Sequence, residues 1–364
     1  MMMHIGVYKI ITVLLISIAV LNSVLYSFRV QDVVLKEGAT ESQFQGMFRA
    51  PAVISHESNI IVMVMGQKDY FPTWLHRLEK MNARLTFIFA SYDEEIREDD
   101  EMVTSFTGSL DFYNMYIPNT RWEEGRTLLG EKAIEFEVRR GKQFDWWFFL
   151  DDDVNIICEA PLSTKAVDCW QHVFDTLNRN DLASKITAVN VPSVRILPDG
   201  KPPQRMKAAN NYDPNFAAFK REYLPYVQPY AVTPQDTGIW MSNVLVMCQM
   251  RECMPRSAYW PPHIMLENPS HRPYKRGFQF DKLLYMLKVN FGGHLDHCVE
   301  MSKKGEEYDV GFFVTPWADS MEELQALIPD QQLNKPSCAS LVERFERWEI
   351  GVKQRMYNRE MSPG

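Results

Sequence analysis

Between Gln143 and Ile156 the chain reads QFDWWFFLDDDVNI, an aromatic run that ends in three consecutive carboxylates. Phe144 to Leu150 is short and almost uncharged, so as a strand it has no polar face to turn to water. Such a strand must be covered on both sides, which makes it a central strand of a mostly parallel α/β sheet. Asp151, Asp152 and Asp153 then leave its carboxyl end, where open α/β sheets bind ligands. Clustered carboxylates repel one another, and a site that uses them offers a cation in return. On these residues alone, a solvated acidic turn after a core strand fits equally well.

Composition and charge narrow the function classes. With 46% hydrophobic residues, 21 Phe, 15 Tyr and 9 Trp, the 364-residue chain is globular and long enough for one large domain or two medium ones. A formal net charge of −8 argues against nucleic acid as a partner bound through a basic face. An anionic substrate would need local help, from a metal or from a few placed Arg and Lys side chains.

The amino terminus sets the compartment. Ile10 to Phe28 carries no charge and lies between Lys9 and Arg29, a length that just crosses a bilayer. It reads as an uncleaved signal anchor rather than a cleaved signal peptide, because it is long for a signal core and lacks a clean small-x-small site. The expected organisation is a cytoplasmic tail over 1–9, the anchor over 10–28, a polar stem over 29–57 and a lumenal body over 58–364. All six cysteines (158, 169, 248, 253, 298 and 338) follow the anchor, and up to three disulfides are expected in any of 15 pairings. No CxxC pair favours zinc instead. No Asn-x-Ser/Thr sequon with a permitted middle residue occurs, since Asn268 precedes Pro269, so N-glycosylation is not expected.

Within the body, Asn59 to Met65 and Arg84 to Ala90 read as buried strands on either side of a helix. That helix carries Phe71, Trp74, Leu75, Leu78 and Met81 at helical spacing, with Pro72 in its first turn. Strand, helix and strand in that order indicate a parallel unit. The pattern then blurs from Glu94 to Asn119. A helix follows from Trp122 to Gly141, with Gly125 and Arg126 at its opening, where free N–H groups and a guanidinium can meet an anion. A surface Arg near a helix start fits as well. Lys185 to Val191 is a further short strand, and Pro192 to Asn211 reads as a long loop. Asp236 to Val246 is either a glycine loop at Gly238 or a turn into a strand. Gly277 to Gly292 places Phe280, Leu283, Leu284 and Leu287 on one helical face with Asp281 near the helix start, where a carboxylate also favours the helix dipole. His294 and His297 follow, and a last helix around Leu341 to Tyr357 packs through Leu341, Phe345, Trp348 and Val352.

A lumenal body behind a signal anchor, a Gly-Arg helix and an aromatic strand ending in Asp-x-Asp resembles the GT-A fold of nucleotide-sugar-dependent glycosyltransferases, across about residues 59–299. The resemblance implies a Rossmann-type mixed α/β sheet flanked by helices. It also implies a Golgi or endoplasmic reticulum enzyme that moves a hexosyl or N-acetylhexosaminyl group from a nucleotide diphosphate to a hydroxyl of a glycan, glycoprotein or glycolipid. On that resemblance Asp151 and Asp153 hold Mn2+ or Mg2+ against the donor diphosphate, with His297 or His294 as a further ligand. Asp152 contacts the ribose or donor sugar, Arg126 and Gly238 line the donor site, and Asp281 is the base of an inverting reaction. In a retaining member Asp281 has no such duty. Oxygen ligands joined by one imidazole suit manganese better than magnesium.

Two other classes fit parts of the pattern. A calcium-dependent glycan-binding protein could use the three aspartates, although DDDVNIICE lacks the Gly and alternating ligands of an EF-hand loop. A non-catalytic scaffold of transferase shape would keep the strands and lose the site.

Overall fold

A computed structural model of the chain describes residues 59–361 except 105, 107, 109, 160–161, 163–164, 180–181, 183, 194–196, 198–199, 210–214, 231–239 and 268–316. The expected anchor and stem, Gly238, Asp281, His294 and His297 therefore lie outside the described residues. Among the described residues no helix is long and apolar enough to cross a membrane.

The fold is mixed α/β, a nine-stranded sheet flanked by helices. Its first half is a parallel unit built from β1 (Ile60–Gly66), α1 (Phe71–Glu79) and β2 (Leu85–Ser91). The short α2 (Glu101–Thr104) and the edge strand β3 (Asp111–Tyr116) follow, in the stretch where the sequence pattern blurs. Then come α3 (Trp122–Arg140) and β4 (Trp146–Asp151), the aromatic strand. The small strand β5 (Asn155–Cys158), α4 (Ala166–Leu177), β6 (Ala188–Asn190), β7 (Met206–Ala209) and β8 (Phe216–Lys220) continue the chain. The remainder is α5 (Trp240–Cys253), β9 (Ala258–Trp260), β10 (Ile264–Glu267), β11 (Trp317–Ala318), α6 (Met321–Leu327) and α7 (Pro336–Met361).

The strand order is β11-β7-β9-β6-β8-β4-β1-β2-β3, with β3, β2, β1 and β4 mutually parallel and β8 antiparallel to β4. All six residues of β4 are buried, as the absence of a polar face requires. Alternate residues feed two cores. Trp147 and Phe149 face α3, α5 and α7, while Trp146, Phe148 and Leu150 face α1 and α4. Phe148 meets Phe174 at 5.8 Å and Phe216 at 4.7 Å between ring centroids, both edge-on, the arrangement aromatic quadrupoles favour.

Helix α3 sets the sheet's relation to the site. Gly141, at φ 62°, ends it in the left-handed conformation that a glycine adopts without a Cβ clash. Near that end Glu137 accepts from the Trp147 Nε1 and the Phe144 amide, each at 3.1 Å, and pairs with Arg221 at 3.0 Å. Burial pushes the Glu137 carboxyl up against the lowering influence of Arg221 and those donors. Arg221 also reaches Glu349 on α7 at 2.6 Å, so one network ties α3, β4 and α7 together.

Two elements differ from the sequence expectation. Trp240–Cys253 is a helix rather than a strand after a turn, because the apolar run is covered all round and its periodicity is hidden. Strand β7 lies inside the stretch read as one long loop, since its four residues send Ala208 and Ala209 into opposite cores and bury Lys207, which leaves no alternation to detect. Two disulfides, Cys158–Cys169 and Cys253–Cys338, are consistent with a lumenal or secreted protein. Cys248 is buried, and Cys298 lies outside the described residues.

Candidate active site

The three aspartates leave β4 at its carboxyl end and meet three different environments. Asp151 is buried at 9% exposure, and its amide donates to the Asn215 carbonyl at 3.1 Å. Its Oδ1 accepts from Trp122 Nε1 at 3.1 Å and is paired with the Arg126 guanidinium. Arg126 is fully buried, lying 4.8 Å above the Trp122 ring and 5.6 Å from the Phe149 ring. Tyr230 closes this side with its ring against both Trp122 and Phe149. The guanidinium read from the sequence as a contact for an external anion is thus placed on the chain's own first carboxylate.

Asp152 turns the other way. Its Oδ2 accepts from the Gln67 amide at 2.7 Å, and its carbonyl accepts from Trp74 Nε1 at 3.0 Å. Gly66, at the end of β1, lies so close that a Cβ there would overlap the Asp152 side chain. Burial raises the Asp152 carboxyl to about 7, opposed by the Gln67 hydrogen bond and reinforced by the charges of Asp153 and Asp151. Asp153 is half-buried at the following turn position. Behind it the Val154 carbonyl accepts from Arg77 at 3.3 Å, and the Arg77 guanidinium lies 4.5 Å over Trp74 and 5.0 Å over Trp170.

Glu267, the last residue of β10, pairs with Asn155, two positions beyond Asp153. Asp281, His294 and His297 lie outside the described residues, which resume at Trp317, paired with Lys207, itself paired with Trp260. The segment containing Gly238 begins after Tyr230, next to Trp122.

Among the described residues no three His, Cys, Asp or Glu side chains form a metal-binding group. Two carboxylates still fit a hard divalent cation. Mg2+ and similar ions are commonly held by one or two carboxylates together with substrate phosphates and water. Burial is the main cause of the raised Asp152 carboxyl, and the smaller repulsion that Asp153 and Asp151 add is of the kind a cation relieves. No family model and no curated protein matches the chain.

Sequence reasoning passed over Gln67 and Tyr230, and placed Trp74 and Trp122 on helices without a part in the acidic turn. Gly66 carried a signal, because a glycine closing a strand at the ligand edge marks a close approach.

Proposed function

We propose that the chain is a metal-dependent glycosyltransferase with a GT-A-like body, held in a Golgi or endoplasmic reticulum membrane by residues 10–28. The observation that carries this reading is the exit of Asp151 to Asp153 from the central buried strand at the carboxyl edge of the sheet, with the first carboxylate neutralised by Arg126. Ligands of open α/β sheets bind at that edge. The two disulfides support the lumenal side of the proposal.

In this reading Asp153 and Asp151 hold Mn2+ or Mg2+, with His297 or His294 as a further ligand, and Asp152 meets the ribose or sugar. Gly238 lines the donor pocket. A bound cation would neutralise the charge that develops on the departing nucleotide diphosphate. Arg126 fixes the orientation of Asp151, so the carboxylate nearest the sheet is preorganised before substrate arrives. If the reaction inverts, Asp281 takes the proton of the acceptor hydroxyl as that hydroxyl's oxygen bonds the anomeric carbon and the bond from that carbon to the diphosphate oxygen breaks.

The test is Asp153→Ala in the full chain, with calorimetric titration of nucleotide diphosphates plus manganese and an assay of nucleotide release. Metal-dependent binding of one nucleotide in the parent chain, and its loss in a variant with unchanged circular dichroism, is expected. Full transfer activity in that variant would overturn the metal assignment. Glycan binding without any nucleotide binding would overturn the enzyme reading.

A further inference from the structure

A second cleft lies away from the acidic turn. Its walls are the end of α5 with the loop after it (Arg251, Glu252, Pro255 and Arg256) and the segment leading into α7 (Pro329, Gln332 and Lys335), around about 550 Å3. That volume is in the range of small-molecule sites. Register separates the two places. Trp147, Phe219, Ala188 and Ala258 form one row across the sheet, and Arg251 to Arg256 precede Ala258. Asp151 lies four residues beyond Trp147, ~13 Å toward the opposite edge at the rise of a strand.

The walls are fixed to one another. The Cys253–Cys338 disulfide joins them, and the Gln332 amide donates to the Cys253 carbonyl at 2.8 Å. The Lys335 carbonyl accepts from the amides of Cys338 and Ala339, each at 3.0 Å, which holds the Lys335 backbone at the start of α7. A cleft held this way spends little ordering entropy on closing around a ligand.

Its charge is unbalanced. Three cationic side chains line it against one carboxylate, a surplus of two positive charges. That carboxylate, Glu252, is already engaged by Lys335 Nζ at 3.0 Å and by Ser337 Oγ at 3.3 Å. Arg251 Nη1 is shielded from solvent and has no hydrogen-bond partner among the described residues. Leaving such a donor unmade costs about 1–3 kcal/mol. The carboxyl end of α5 opposes an anion by only ~0.3–1 kcal/mol, so the side-chain charges decide the sign. A planar guanidinium matches tetrahedral oxyanions through two parallel N–H bonds.

We propose that this cleft binds an oxyanion of the phosphate or sulfate class, with Arg251 as its main contact and Arg256 and Lys335 completing the positive rim. The ligand is separate from the nucleotide of the acidic site, and the cleft does not depend on that reading.

The experiment is calorimetric titration of the full chain with inorganic phosphate, inorganic sulfate and phenyl phosphate at constant ionic strength. Saturable binding is expected, weakened at least tenfold in Arg251→Gln, partly recovered in Arg251→Lys, and weakened several-fold in Arg256→Gln, an exposed position. Asp153→Asn should bind these anions as the parent does. Tighter binding of phenyl phosphate than of inorganic phosphate assigns the site to an organic ester, and equal binding assigns it to the free ion. Absence of saturable binding, binding undiminished in both arginine variants, or loss in Asp153→Asn overturns the proposal.

Discussion

Replacing Arg126 by methionine isolates the buried pair on which the acidic edge rests. The substitution keeps most of the side-chain volume and removes the charge, leaving the Asp151 carboxylate at 9% exposure with Trp122 Nε1 as its one side-chain donor among the described residues. Breaking a buried ion pair from one side costs about 3–5 kcal/mol, because the remaining charge has lost its solvent and its partner. Loss of the guanidinium from above Trp122 and Phe149 adds roughly 1 kcal/mol. Asp151→Asn alone takes the carboxylate away from the buried guanidinium instead and should cost a similar amount, although the amide oxygen can still accept from Trp122. In the double variant both charges are gone, and replacing a whole buried pair is often close to neutral. The double variant should therefore be more stable than either single one, with a coupling of at least ~2 kcal/mol in a double-mutant cycle. Urea denaturation followed by tryptophan fluorescence, in chelator at neutral pH, measures all four corners. Additive losses would refute the argument, for they would mean that Arg126 and Asp151 stabilise the fold through separate contacts.

Two further outcomes follow from the same charges and from the disulfides. Asp152 is an acid whose carboxyl is raised from 3.8 to about 7, so its contribution to stability is fully present below 3.8 and is lost as pH rises through 7. In chelator the parent chain should lose up to about 4 kcal/mol between pH 4 and pH 8. Asp152→Asn should be flatter over that window, and manganese at pH 8 should restore part of the loss. Thermal melts checked by circular dichroism read all three, and an identical pH profile in the variant would remove Asp152 as the cause. Cys253–Cys338 spans a sequence separation of 85 and Cys158–Cys169 one of 11. On the loop-closure estimate, serine pairs at the first should cost about 4–5 kcal/mol and at the second about 3 kcal/mol, measured by denaturant midpoints.

How much of this could be read from the chain depends on which signal each residue leaves. β1, β2 and β4 are legible because strands covered on both faces leave continuous apolar runs, and Gly141 marks the end of α3 because its φ of 62° suits glycine. The Asp151 to Asp153 turn is legible by position, as polar residues ending an apolar strand. α3 itself is different. It buries Glu123, Arg126, Glu135 and Glu137 beside Leu129, Ala133 and Ile134, so its inner face is partly charged and its apolar stripe understates what is covered. For that reason the sequence around Arg126 fits a contact for an external anion or a surface Arg, and not a buried pair. Its partner is 25 residues away, and pairing at that range leaves no periodic trace.

The placement of Arg126 also changes the electrostatics of the edge. Three adjacent carboxylates would carry three negative charges, but the Arg126 pair cancels one within the protein and the hydrogen bond from Gln67 partly steadies the second. Asp153 is half-buried at the turn, while Asp152 is held where burial resists its ionisation. A divalent cation arriving here meets a net charge nearer two than three, and less repulsion is stored in its absence. That balance lets the chain fold before the cation binds, while keeping enough negative charge to attract it. If Arg126 were lost, Asp151 would regain its charge at the site, so the methionine variant should be stabilised by manganese by a larger margin than the parent chain.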